Sequence, residues 1–228
     1  MKGPGVPAGA STNYKPPMQR RSQETLERIL DAAETLIRER GFDQMTIAEV
    51  VQRSGSSVGS LYARFNDKLA LLRAVQLRYH ARVGNAIAEE LSGDRPQDEC
   101  LEDAARRIVG VLCDRLLHEP ELFRAFFLEA VFDEGVRAQG EAANARRRDH
   151  VTSVLLRHRD EIRHEDPELA ARWFYSICMA LLRERITFGP AAELSGGFTD
   201  EKWQVELTRT AINYLLSPNL ATGLPPGD

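Results

Sequence analysis

The chain has 228 residues, 43% of them hydrophobic and 28% charged, with a formal net charge of −4. That length can bury a sizeable core and suits one large domain or a small one joined to a larger, and the composition is that of a globular protein, not a fibrous or disordered one. The longest apolar run, Trp173 to Leu182, is about half the ~20 residues a membrane-spanning helix needs, so no membrane partner is expected.

The charge is unevenly distributed. Residues 15–85 hold twelve Lys or Arg against eight Asp or Glu, a surplus of +4, whereas residues 86–228 hold seventeen against twenty-six, a balance of −9. A basic N-terminal third joined to an acidic body points to two jobs in one chain. The opening "MKGPGVPAGAS" has no apolar block of the export-signal kind, so the expected address is the cytoplasm. Cys100, Cys113 and Cys178 are odd in number and far apart, and are read as reduced, mostly buried thiols. The histidines are scattered. Only His150 and His158 can share a helix face, which is read as solvated, and no metal site or cofactor is expected.

Residues 1–19, rich in Pro, Gly and small polar residues, are expected to form a disordered arm. From Ser22, the residues Leu26, Ile29, Leu30, Ala33, Leu36 and Ile37 recur at helical spacing as far as Gly41, a C-terminal cap. Thr46 and Glu49 form a capping-box pattern for a second helix to about Arg53, where Ser54-Gly55-Ser56-Ser57 reads as a turn. Ser57 then caps a short third helix through Arg64, and Asn66 or Asp67 caps a longer fourth one through Tyr79. Ala48, Val51 and Leu61 fall where the two short helices would pack, and are expected in the core. Two short helices joined by a tight turn and leaning on a longer one make a helix-turn-helix.

Beyond "LSGDRPQD" the pattern predicts helices over about 97–118, 120–133, 136–160, 166–188 and 200–217, with breaks at Pro120, Gly135, Pro167 and Gly189-Pro190. The fold class is therefore all-α. A three-helix helix-turn-helix domain spans 20–66, a larger helical body spans 67–217, and a flexible tail spans 218–228.

The stretch "ILDAAETLIRERGFDQMTIAEVVQRSGSSVGSLYARFNDKLALL" resembles the DNA-binding domain of the tetracycline-repressor (TetR) family of bacterial transcription regulators. The likeness is carried by Ala32-Ala33, Gly41-Phe42, Thr46-Ile47-Ala48, Ser54-Gly55, Ser57, Gly59, Leu61-Tyr62, Phe65, Lys68 and Leu71 at their spacings. It implies a homodimeric regulator, expected to be a repressor, that binds a palindromic double-stranded operator and is released by a small-molecule effector. Thr46, Tyr62 and Lys68 match the family's phosphate-contacting positions. Ser56 and Val58 depart from its pattern, which leaves the operator sequence open.

Within that frame, Ser57, Val58 and Gly59 open the recognition helix, whose first turn is what a major groove admits. Ser60 and Arg64 can reach base edges, the guanidinium matching the two acceptors of guanine. Arg21, beside Arg20, can follow the backbone or enter a minor groove. Plainer readings stand beside these: Tyr62 as a half-buried core residue, Arg64 as a solvated charge, and Arg20-Arg21 as an aid to solubility.

The body shows no Gly-rich phosphate loop, nucleophile elbow or metal-spaced cluster, so no enzyme is expected. Arg146-Arg147-Arg148 is read as a solvated helix face. The segment "LFRAFFLEAVF" concentrates Phe123, Phe126, Phe127 and Phe132, either as plain core or as the wall of a pocket for an apolar or aromatic effector. Glu129 there either orients a polar group of the ligand or lies on the surface. Phe174 and Cys178, on one row of the helix over 166–188, complete the expected effector set. On its other row Trp173, Ile177 and Leu181, together with Trp203, Leu207 and Ala211, are expected at a dimer interface, because helices apolar on two sides are buried on two sides. The alternative function is a helical ligand-sensing or interaction protein that does not contact DNA, and salt-dependent DNA binding separates the two.

Overall fold

The computed structural model describes residues 18–93, 98–189 and 198–218. The described residues are helical throughout, with no strand: α1 (Met18–Arg40), α2 (Ile47–Ser54), α3 (Val58–Tyr62), α4 (Lys68–Ser92), α5 (Leu101–Leu116), α6 (Pro120–Glu129), α7 (Glu134–Leu155), a 3-10 turn (Leu156–Glu161), α8 (Pro167–Phe188) and α9 (Asp200–Leu216). No described helix is long and apolar enough to cross a membrane.

The first helix begins earlier than its sequence pattern suggests. Met18 and Gln19, expected in the disordered arm, already belong to α1, while the arm's residues 1–17 and the tail's residues 219–228 lie outside the described residues. Its buried stripe of Ile29, Leu30, Ala33, Leu36 and Ile37 follows the 3.6-residue period and stops at Gly41. There φ reaches +83° and the Gly41 amide donates to the Ile37 carbonyl at 2.8 Å, a left-handed helix end where glycine is at ease.

The two short helices are set by their caps. Thr46 and Glu49 close a reciprocal box, with the Glu49 amide donating to the Thr46 hydroxyl at 3.3 Å and the Thr46 amide to the Glu49 carboxylate at 3.1 Å. Val50 and Leu61 are fully buried beneath them. Ala48, expected in this core, is exposed instead, because the inward face of α2 is set by Val50 and Ser54.

Asp67 caps α4 through the Ala70 amide at 2.6 Å, and the helix runs unbroken from the small domain into the body, where it packs along α7. A charge network binds the two parts. Glu34 of α1, 5% exposed, accepts from Arg78 of α4 at 2.7 Å and from Arg38 at 2.6 Å, while Glu119 takes Arg38 at 2.6 Å and Arg82 at 2.9 Å. A carboxylate buried among arginines is held firmly, since removing one partner strands a charge.

Helix α9 packs against both α5 and α8. Its stripe of Trp203, Leu207 and Ala211 is consequently buried within the protomer, with Leu207 only 3% exposed. The expectation that these three residues face a second copy is thus corrected: their stripe is used within the protomer. Arg185 of α8, itself buried, pairs with Asp200, donates to the Phe198 carbonyl at 3.1 Å and lies over the Trp203 ring, which fixes the start of α9.

Candidate functional site

The small domain presents one open face. The Ser57 hydroxyl accepts the Ser60 amide at 3.0 Å to start α3, and Leu61 turns inward as its anchor. Ser57, Val58, Gly59 and Tyr62 are left exposed on the outer side, Tyr62 by 50%, which favours its surface reading over the core one. A Cβ built on Gly59 would meet nothing within 4 Å, so another surface can approach the helix backbone closely there. The turn beneath is stiffened by Gly55 at φ +61° and by the Ser54 and Ser56 hydroxyls 2.9 Å apart. Thr46 is exposed beside this face, its hydroxyl donating to Glu49 at 2.8 Å.

Two expected contact residues are already occupied. Arg64 lies in the turn after α3 and donates to the Ser60 carbonyl at 2.7 Å, the Ser60 hydroxyl at 2.9 Å and the Ser22 hydroxyl at 2.8 Å. While those bonds hold, Arg64 is not free to read a base edge, whereas the Ser60 hydroxyl, which only accepts from it, keeps its own O–H to donate, and the solvated reading of Arg64 fails as well. Arg21 stays exposed, one residue before Ser22. Lys68 donates to the Asp43 carbonyl at 3.1 Å and lies 4.3 Å from the centre of the Phe42 ring. Partial burial lowers its pKa, and the Asp43 and Glu129 charges offset this.

The expected effector residues do not form a pocket. Phe123 and Phe126 are buried against Tyr79 at ring distances of 5.3 and 5.5 Å, and Phe127 packs on Phe123 at 5.2 Å beneath Arg183. Phe174 and Cys178 are fully buried. Glu129 faces Asp43 and Lys68 at the junction with the small domain, where burial and then the Asp43 charge raise its pKa. All six belong to the core or to that junction, because the α6 rings fill the space against α4 and α8, while Phe132 of the same cluster is neither core nor pocket wall and is 86% exposed.

Two larger openings among the described residues lie elsewhere. A cavity of about 390 Å³ sits between α4 and α7, lined by His80, Gly84, Ile87, Ala143, Arg147 and His150 among others. A larger groove of about 530 Å³ runs over the surface between α5 and α9, under Glu102, Arg106, Glu201 and Arg209. The sequence hides the first, because Arg147 stands in a run of three arginines that reads as a solvated face. The signal was its position: it lies four residues from both Ala143 and Val151, on the buried stripe of α7. Burial first, then the charges of Arg147 and Arg146, lower the pKa of His80 from 6.5 to about 3, so the ring is neutral near pH 7.

On α8, Trp173 and Leu181 are exposed by 51% and 38%, with Leu169 exposed on the same row and Ile177 partly buried between them. This row is the apolar face that the body leaves open on α8.

Comparison with known proteins agrees with this architecture. Residues 29–75 match the family model described as bacterial regulatory proteins, tetR family, and residues 100–215 match a tetracyclin repressor-like C-terminal domain. The chain is 38% identical over 85 residues to the HTH-type transcriptional repressor BdcR of Escherichia coli K12, a match over 36% of this chain and 43% of that one. It thus spans less than half the length of that relative. Over 177 residues it is 25% identical to the HTH-type transcriptional regulator UidR of the same strain, covering 78% of this chain and 85% of that one. A solved structure of a bacterial regulatory protein in the tetR family from Rhodococcus RHA1 shares the fold at a TM-score of 0.61 and 18% identity, covering 84% of this chain and 96% of that chain. With the second family model alone covering half of its residues, the chain belongs to the TetR family.

Proposed function

We propose that this protein is a dimeric transcription repressor that binds a palindromic operator through α2 and α3 and is released by a small molecule held in the body. The observation that carries the reading is the exposed start of α3, where Ser57, Val58, Gly59 and Tyr62 stand clear of the protein on a rigid turn. Such a helix start offers free amides to phosphate and a narrow first turn to a major groove. Tyr62, Thr46 and Arg21 flank it as phosphate contacts. The open row Leu169, Trp173, Ile177 and Leu181 on α8 is the surface for the second copy, which sets two recognition helices about one turn of DNA apart, ~34–36 Å. Release follows when the ligand favours an α4 position that no longer matches that spacing.

Selection of bound fragments from random duplexes, followed by titration at several salt concentrations, tests the reading. A palindromic consensus and a steep loss of affinity with salt are expected. Salt-insensitive or absent binding would instead support a ligand-sensing protein that does not contact DNA.

A further inference from the structure

Arg147 is 5% exposed, and its Nε and Nη1 groups have no hydrogen-bond partner within the protein. Its charge is felt by Tyr79, His80 and Tyr175, and the Tyr175 hydroxyl, in hydrogen-bond contact with it, donates to Asn144 at 2.8 Å. Among the described residues no carboxylate pairs with Arg147. A buried charge of this kind is costly, and a guanidinium cannot escape by losing its proton. Only an anion can balance it.

The surroundings select for the same partner. Both ring nitrogens of His80, 6% exposed, and Nε2 of His150 also lack partners, and both residues line the cavity with Arg147. The lining contains two arginines and two histidines but no Asp or Glu, within a body whose balance is −9. Arg146 is exposed and lines the same cavity, where its charge can draw anions inward. A metal fits poorly, since two guanidinium groups repel a cation. Gly84, Ile87, Ala88 and Ala143 leave small apolar walls, and a volume of about 390 Å³ lies within the usual range for ligand sites, ~300–1,000 Å³.

We infer that the cavity between α4 and α7 takes a small organic anion, whose carboxylate or phosphate group lodges on Arg147 with hydrogen bonds from His80 and His150. This rests on the repressor reading for its consequence, because it makes the anion the effector, but the binding itself does not depend on DNA.

Calorimetric titration of the full chain with benzoate, phenyl phosphate and benzamide tests it, the first two separating carboxylate from phosphate and the third carrying no charge. At least one anion should bind once per chain, at least ~tenfold more tightly than benzamide, the worth of one charge-assisted contact. Arg147→Met, of similar length, should abolish that preference, while Arg148→Ala should keep it, since Arg148 pairs with Asp149 at 3.2 Å. Equal binding of benzamide, unchanged anion binding by Arg147→Met, or no binding of either anion at ~10 mM overturns the inference. If Arg147→Met does not fold, the three-ligand comparison on the unaltered chain and on Arg146→Ala decides. A mobility-shift assay in parallel separates the two readings. Anion binding that leaves operator affinity unchanged refutes the effector role alone, whereas release by an uncharged compound without anion binding refutes the anion site alone.

Discussion

The Arg64 guanidinium meets the Ser22 hydroxyl at 2.8 Å, tying the end of the recognition helix to the start of α1 across 42 positions of sequence. A residue in this position orients α3 instead of reading a base. Arg64→Ala is therefore expected to weaken selected and scrambled duplexes by a similar factor, and to lower stability by about 1 kcal/mol through the lost bonds. Ser22→Ala should reproduce part of both effects. Titration of both duplexes together with urea unfolding checks this, and a loss of preference at one base position in Arg64→Ala would contradict it.

Tyr62 and Lys68 separate cleanly. Tyr62→Ala removes a half-exposed ring, so stability should stay within ~0.5 kcal/mol while affinity for all duplexes falls. Lys68 must leave the Asp43 carbonyl or share itself to touch a phosphate. If it does, Lys68→Ala lowers the salt slope by ~0.9 per contact, counted twice in a dimer. An unchanged slope would show that Lys68 serves only its Asp43 and Phe42 contacts.

The dimer face is tested by contrast between two helices. Trp173→Glu, on the open row of α8, should give a folded monomer in sedimentation with reduced operator binding. Leu207→Arg places a charge inside the protomer and should cost several kcal/mol, so its thermal transition falls or disappears. A folded monomeric Leu207→Arg would restore α9 as the interface.

Burial of His80 has a pH signature. Its pKa is lowered in the folded chain, to about 3 from 6.5, so the unfolded chain takes up the proton first. The resulting stability is complete above about pH 6.5 and is lost as the pH falls from there towards 3, with a slope of up to ~1.4 kcal/mol per unit. Urea midpoints at pH 5 and 7.5 should diverge less in His80→Leu than in the unaltered chain. Parallel behaviour of the two would mean that His80 is not held neutral by its burial and by the charges of Arg147 and Arg146.

The small domain was legible because its signals are local. Thr46 and Glu49 lie three residues apart, Gly41 and Gly55 mark helix ends, and Ser57 caps α3, each through bonds within a few residues. What a side chain faces across the fold was not legible in the same way. Arg64 finds Ser22 only once α1 and α3 are side by side, and the Trp203, Leu207 and Ala211 stripe of α9 is taken up by helices from two other parts of the chain. Arg147 combines both difficulties: two flanking arginines hide its place on the buried stripe, and the absence of a carboxylate for its charge and of partners for its Nε and Nη1 can be seen only after α4 and α7 have packed.

The continuity of α4 has a mechanical result. At ~1.5 Å per residue, the twelve positions from Lys68 to His80 form a stiff arm of ~18 Å with no kink between them. A tilt of about 5° about the cavity would swing the Lys68 end by ~1.6 Å, within the ~1–2 Å of ordinary helix shifts. Hydrogen bonds to a phosphate do not survive a displacement of that size. Under the proposed release, a ligand that barely perturbs the body unseats the reading head in this way, with the arm's length supplying the gain.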